Sequence, residues 1–93
     1  MRRLVRVHPL FDVRLRQAFP DQGVRDRFVI AHLKHLLDEF ADHFDDLPDT
    51  KAGPAWRRTF GMADDFGLAF VVTARQVADD VVELRSIAVA PLP

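Results

Sequence analysis

The sequence predicts an α+β domain: a short N-terminal strand, two helices, then a three-stranded antiparallel meander, with the helices packed on one face of the sheet. Three observations predict it. Apolar residues recur at helical spacing between Phe11 and Leu47, β-prone runs fill the back third from Trp56 to Val89, and Gly53-Pro54 marks a turn between the two regions. Ninety-three residues fit one domain spanning 1–93, and an apolar content of 48% with eight Phe is enough to fill its core. A chain this short buries a modest fraction of its surface, so a partner or a homodimer contact is expected to supply part of the stability.

Each element has its own signal. Leu4 to His8 is a short β-prone start. Pro9 opens the first helix, where a missing N–H costs no internal hydrogen bond, Phe11, Leu15 and Ala18 or Phe19 recur at helical spacing, and Pro20 ends the segment. Asp21 can cap a second helix through its carboxylate. In that helix Val29, Leu33, Leu36, Leu37, Phe40, Phe44 and Leu47 form one apolar stripe. Val24 to Asp46 would make a rod about 35 Å long at 1.5 Å per residue, stopped by Pro48. In the β region Trp56, Arg58, Phe60 and Met62 alternate with Arg57, Thr59 and Gly61, which sends the two arginines to opposite faces. Asp64-Asp65 reads as a hairpin turn, Phe66 to Thr73 as a central strand apolar on both parities, and Ala78-Asp79-Asp80 as a second turn. Val81 to Val89 is the last strand, and Pro91 and Pro93 are expected to end its pairing.

Charge is balanced in number but not in position. The formal net charge of -1 does not mark a nucleic-acid binder by bulk electrostatics. Yet Arg2, Arg3, Arg6, Arg14 and Arg16 face a single acid, Asp12, in the first sixteen residues, and six acids from Asp38 to Asp49 have no Lys or Arg among them. Those acids crowd a helix C-terminus and oppose its dipole, so the last turn is expected to fray or to meet a basic partner. Arginines of the late strands, set beside the N-terminal strand, are expected to gather on a basic surface away from that acidic end.

The lack of cysteine excludes disulfide staples and Cys-based zinc sites. Met1, Arg2 and Arg3 precede too short an apolar run for a signal peptide and no 18-residue apolar stretch exists, which makes a cytoplasmic protein without membrane association the default expectation. His35, Glu39 and His43 lie four apart on one helical flank near His32, but successive four-residue steps converge on a metal only with unusual rotamers, and no metal or other cofactor is expected.

A strand, a helical pair, then a meander whose middle strand follows an Asp-aromatic step resemble the RelE/ParE superfamily of bacterial toxins. The residues that carry the resemblance are the helical stripe, Trp56-Arg57-Arg58, the run Asp65-Phe66-Gly67-Leu68-Ala69-Phe70-Val71-Val72, and Val81 to Val89. The resemblance implies the toxin component of a type II toxin–antitoxin pair that blocks translation by cleaving RNA or acts on DNA gyrase. Its implied partners are a cognate antitoxin, RNA, the ribosome or gyrase. Gly67 stands where the family tends to carry an arginine, and Ala90-Pro91-Leu92-Pro93 stands where ribonuclease members carry Arg, His or Tyr.

Cleavage through a 2′-hydroxyl needs a proton acceptor, positive charge at the phosphoryl oxygens and help for the leaving oxygen. Arg57, Arg58, Arg75 and Arg85 are candidate binding residues because they can supply that charge, and the resemblance adds Lys51, in the loop where such a toxin presents a positive side chain to RNA; none of the arginines is an obvious base, since arginine stays protonated, and no catalytic residue is assigned. His8 is read as a helix-start residue, and Trp56 as a packing anchor before a base-stacking platform. The alternative is a catalytically inactive protein–protein interaction module of the same fold.

Overall fold

A single sheet of five strands carries the molecule, in the order β1-β5-β4-β3-β2. In this computed structural model, which describes residues 2–93 and so excludes Met1 at the head of the basic N-terminus, the strands are β1 (Leu4–Val7), β2 (Asp49–Thr50), β3 (Gly53–Ala63), β4 (Leu68–Ala78) and β5 (Val81–Pro91). β3, β4 and β5 form the expected antiparallel meander. β1 adds to β5 in parallel, and the two-residue β2 adds to the other side of β3, so the sheet is mixed and larger than the three-stranded unit read from the sequence.

The helical layer covers one face. Helix α1 (Pro9–Ala18) starts with His8 as its cap, whose Nδ1 accepts from the Leu10 N–H at 3.0 Å. Helix α2 (Gln22–Phe28) is capped by Asp21, whose Oδ1 accepts from the Val24 N–H at 2.9 Å. The continuous rod expected from Val24 to Asp46 is instead broken into α2, a π-helical turn at Val29–Leu33, helix α3 (Lys34–Asp42) and a 3-10 turn at Phe44–Asp46. The π turn inserts one residue into the helical repeat and so rotates everything after it by about one residue step. Phe28 and Leu33, five apart, therefore both face the sheet, with exposures of 0% and 5%.

Phenylalanine dominates the core between the layers. Phe11, Phe28, Phe40 and Phe44 are fully enclosed and meet Val72, Val82 and Leu84 from the sheet. Phe19 stacks on Phe28 at 4.4 Å between centroids, and Phe66 and Phe70 meet Phe28 edge-on. His32 sits beside this aromatic group and binds Asp65 at 2.7 Å, tying the π turn to the β3–β4 turn.

The late strands run longer than their apolar stretches. Phe66 belongs to the 3-10 turn Asp64–Phe66, which ends at Gly67 in the left-handed region with φ of 67°. Gly67 thus serves the turn, because an L side chain is disfavoured at that backbone conformation. Pairing does not stop before Pro91: Pro91 faces Leu68, and the Leu92 N–H donates to the Gly67 carbonyl at 3.0 Å. A proline is tolerated there because it stands at the end of the ladder.

Candidate functional site

The face of the sheet away from the helices carries most of the chemistry-bearing side chains. Strand pairing aligns Arg6 of β1, Glu83 of β5, Arg75 of β4 and Trp56 of β3 in one row across it. The next row holds Ser86, Thr73 and Arg58, followed by Ala88, Val71 and Phe60, and then by Ala90, Ala69 and Met62. One half of the face is therefore basic and aromatic, and the other apolar, with Phe60 and Met62 64% and 68% exposed beside a shallow depression of about 220 Å³.

A β-bulge builds the basic half. Thr73 pairs with Ser86 and Ala74 with Leu84, leaving Arg85 as the extra residue of β5. Such a bulge re-aims the side chains around it. Arg85 donates to Glu83 at 2.9 Å and lies over the Trp56 ring at 5.5 Å, while Arg75 also lies 5.5 Å from that ring. Arg6 donates to the other Glu83 oxygen at 3.0 Å. Burial by itself would push the Glu83 carboxyl up, but the hydrogen bonds from Arg85 and Arg6 outweigh it and hold the carboxyl below the ordinary carboxylate range. The Arg85 Nε is buried without a hydrogen-bond partner, and Arg58 and Arg75 have no carboxylate partner among the described residues.

The five candidate binding residues divide among three places. Arg58, Arg75 and Arg85 meet on the open face. Arg57 points the other way, as strand alternation requires, and donates to the carbonyls of Leu47 at 2.8 Å and Pro54 at 2.9 Å, pairs with Asp49, and covers the Phe44 ring. That role fastens the chain after α3 to the sheet. Lys51 is exposed in the turn between β2 and β3. Arg6 and Glu83 join the site without being among the residues that the sequence singles out; the available signal is that Glu83 and Arg85 share one strand parity, and Arg6 comes beside them only because β1 pairs with β5.

The N-terminal arginines split. Arg6 joins the open face, but Arg2 binds Asp42 at 2.7 Å and Asp38 at 3.0 Å, and Arg3 binds Asp45 at 3.0 Å. The basic partner expected for the acidic helix end is thus the chain's own N-terminus. His35, Glu39 and His43 are exposed and do not converge; among the described residues no group of three His, Asp or Glu side chains could hold a metal ion. No described helix is long and apolar enough to cross a membrane.

Fold and site together define an α+β protein with one helix-covered sheet face and one open face that is basic at one end and apolar at the other. No protein-family model matches the chain, and neither a curated protein nor a solved structure matches it.

Proposed function

We propose that the chain is the toxin-like component of a bacterial type II toxin–antitoxin pair of the RelE/ParE kind, acting from the open sheet face. The observation that carries this reading is the group of four arginines on the open face: Arg75 and Arg85 over the Trp56 ring, Arg58 over the Phe60 ring, and Arg6 at the far end of the row beyond Glu83. Fixed guanidinium groups beside an aromatic ring grip phosphate or carboxylate and offer a platform for a base or an apolar side chain. The order of strand, helical pair and antiparallel meander supports the same reading.

Two targets follow from the resemblance: RNA, whose cleavage blocks translation, and DNA gyrase. Glu83 is held ionised by two arginines and is a weak base, so the face supplies charge neutralisation better than proton transfer. This favours gripping a polyanion or an acidic protein surface. A cognate antitoxin would offer acids to the same arginines. The second reading, an inactive protein–protein interaction module of this fold, is favoured by the exposed Phe60 and Met62 on the apolar half.

Induced expression in a bacterial host, with growth, protein synthesis and DNA supercoiling followed together, tests the proposal. The expected outcome is arrested growth with a loss of either protein synthesis or normal supercoiling, relieved when Arg58, Arg75 and Arg85 are all changed to Glu. Unchanged growth, synthesis and supercoiling reject the toxin and leave the interaction module.

A further inference from the structure

We infer that two copies of this chain pair through the free edges of β3, antiparallel, about a two-fold axis at Gly61. The proposal does not depend on the toxin reading. β2 covers β3 only at its beginning, through Asp49 opposite Arg57 and Thr50 opposite Gly53. Beyond that point the outer edge from Thr59 to Ala63 has no strand beside it among the described residues, and its midpoint is Gly61. Soluble proteins usually blunt such an edge with lysine, proline or a bulge. This stretch contains no lysine or proline, and its register with β4 runs without a shift.

The direction of the backbone groups fits a second strand. The Arg58 N–H donates outward, to the Pro48 carbonyl at 3.3 Å. Backbone groups alternate in direction along a strand, so those of Phe60 and Met62 also point outward, while those of Gly61 point to β4. In antiparallel pairing about Gly61, residues equally distant from it face one another. Phe60 of one copy then meets Met62 of the other in a hydrogen-bonded pair on each side of the axis, and Gly61 meets Gly61 without a bond.

The side chains agree with this register. Phe60 and Met62 share the open face and are mostly exposed, so each apolar side chain gains a cross-strand apolar neighbour. Just past the paired stretch, Asp64 of the second copy comes near Arg58, whose outward N–H is already taken by Pro48, so the two meet through their side chains, twice by symmetry. Both are exposed and lack an oppositely charged partner among the described residues. Pro48 already lies beside Arg58 on this edge, so backbone pairing is confined to Thr59–Ala63 and the second copy leaves the edge at its Asp64–Phe66 turn. On the helix side, a Cβ at Gly61 would collide with the Phe70 ring, which lies across this glycine, so no side chain at the axis can stand between the two copies.

Sedimentation equilibrium over a wide concentration range reads the result directly. A reversible dimer is expected, with self-association weakened on the order of tenfold by Arg58→Asp or Asp64→Arg and restored in the Arg58→Asp/Asp64→Arg double variant. The chain has no cysteine of its own. Phe60→Cys/Met62→Cys therefore provides a register test that does not rely on charge: hydrogen-bonded strand pairs have Cα atoms about 5.5 Å apart, within disulfide reach. Oxidation is expected to give a covalent dimer. A monomer at every concentration overturns the proposal, as does a dimer that ignores the charge reversals and yields no cross-link, since its interface would then lie elsewhere.

Discussion

Glu83 is the residue on which the open face turns. Its side chain is mostly buried and is shared by Arg6 and Arg85, so the site exposes guanidinium groups whose mutual repulsion one carboxylate offsets. Because its folded pKa is depressed, Glu83 contributes stability that is present above its unfolded value of about 4.3 and lost as pH falls through the lower folded value. Glu83→Gln is expected to lower the unfolding free energy at neutral pH by about 2 kcal/mol, a figure that allows for solvent screening of the more exposed Arg6. Urea unfolding followed from neutral to acidic pH should show a shallower acid loss in the variant than in the parent. Equal acid slopes would mean that the carboxylate is not engaged. Sequence alternation separates Arg57 from Arg58 correctly, since both lie on a regular strand. It does not place Ser86 beside Arg85, because a period of two sends neighbours to opposite faces until a bulge intervenes. A trace of the bulge is nevertheless legible: the inward apolar positions change from even numbers, Val82 and Leu84, to an odd one, Ile87.

At the scale of elements, the π turn decides which aromatic residues form the core. Helical spacing reads Leu33, Leu36 and Phe40 correctly, because they run in phase from the end of the π turn through α3, and Phe44 stays buried although it lies in the 3-10 turn beyond the break at His43. It favours Val29 over Phe28 ahead of the turn, whereas Phe28 is the fully buried residue and Val29 only half-buried. Phe28 stacks on Phe19 and meets Phe66 and Phe70, so it joins α1's end, the helical run and the β3–β4 hairpin. Phe28→Ala is expected to destabilise the protein by about 3–5 kcal/mol, measured as a fall in the urea midpoint at unchanged slope. A cost below about 1 kcal/mol would show that the aromatic group repacks around the vacancy. The two-residue β2 could not be read in advance. Arg57 fastens the carbonyl of Leu47 and the carboxylate of Asp49 to β3, an anchor between neighbouring segments that leaves no periodic pattern.

At the scale of the whole molecule, a net charge near zero conceals a polar arrangement. Arg2 and Arg3 neutralise the acids at the end of the helical layer, while Arg6, Arg58, Arg75 and Arg85 face away from it. Composition could not reveal this, because it depends on which arginines β1 directs to each face. If the open face grips a polyanion, affinity for a single-stranded oligonucleotide should fall with added salt. Arg58→Ala/Arg75→Ala/Arg85→Ala should make the logarithmic salt slope shallower by about two, at roughly 0.7 per phosphate contact. Identical slopes would place the contact elsewhere. The order of elements was readable because each carries its own periodicity, but the parallel union of β1 with β5 joins residues far apart in the chain. That union also bears on synthesis. Leu4–Val7 can find its neighbours only after Val81–Leu84 has emerged from the ribosome, so the growing chain must carry β1 unpaired until then, although the acids that hold Arg2 and Arg3 emerge earlier.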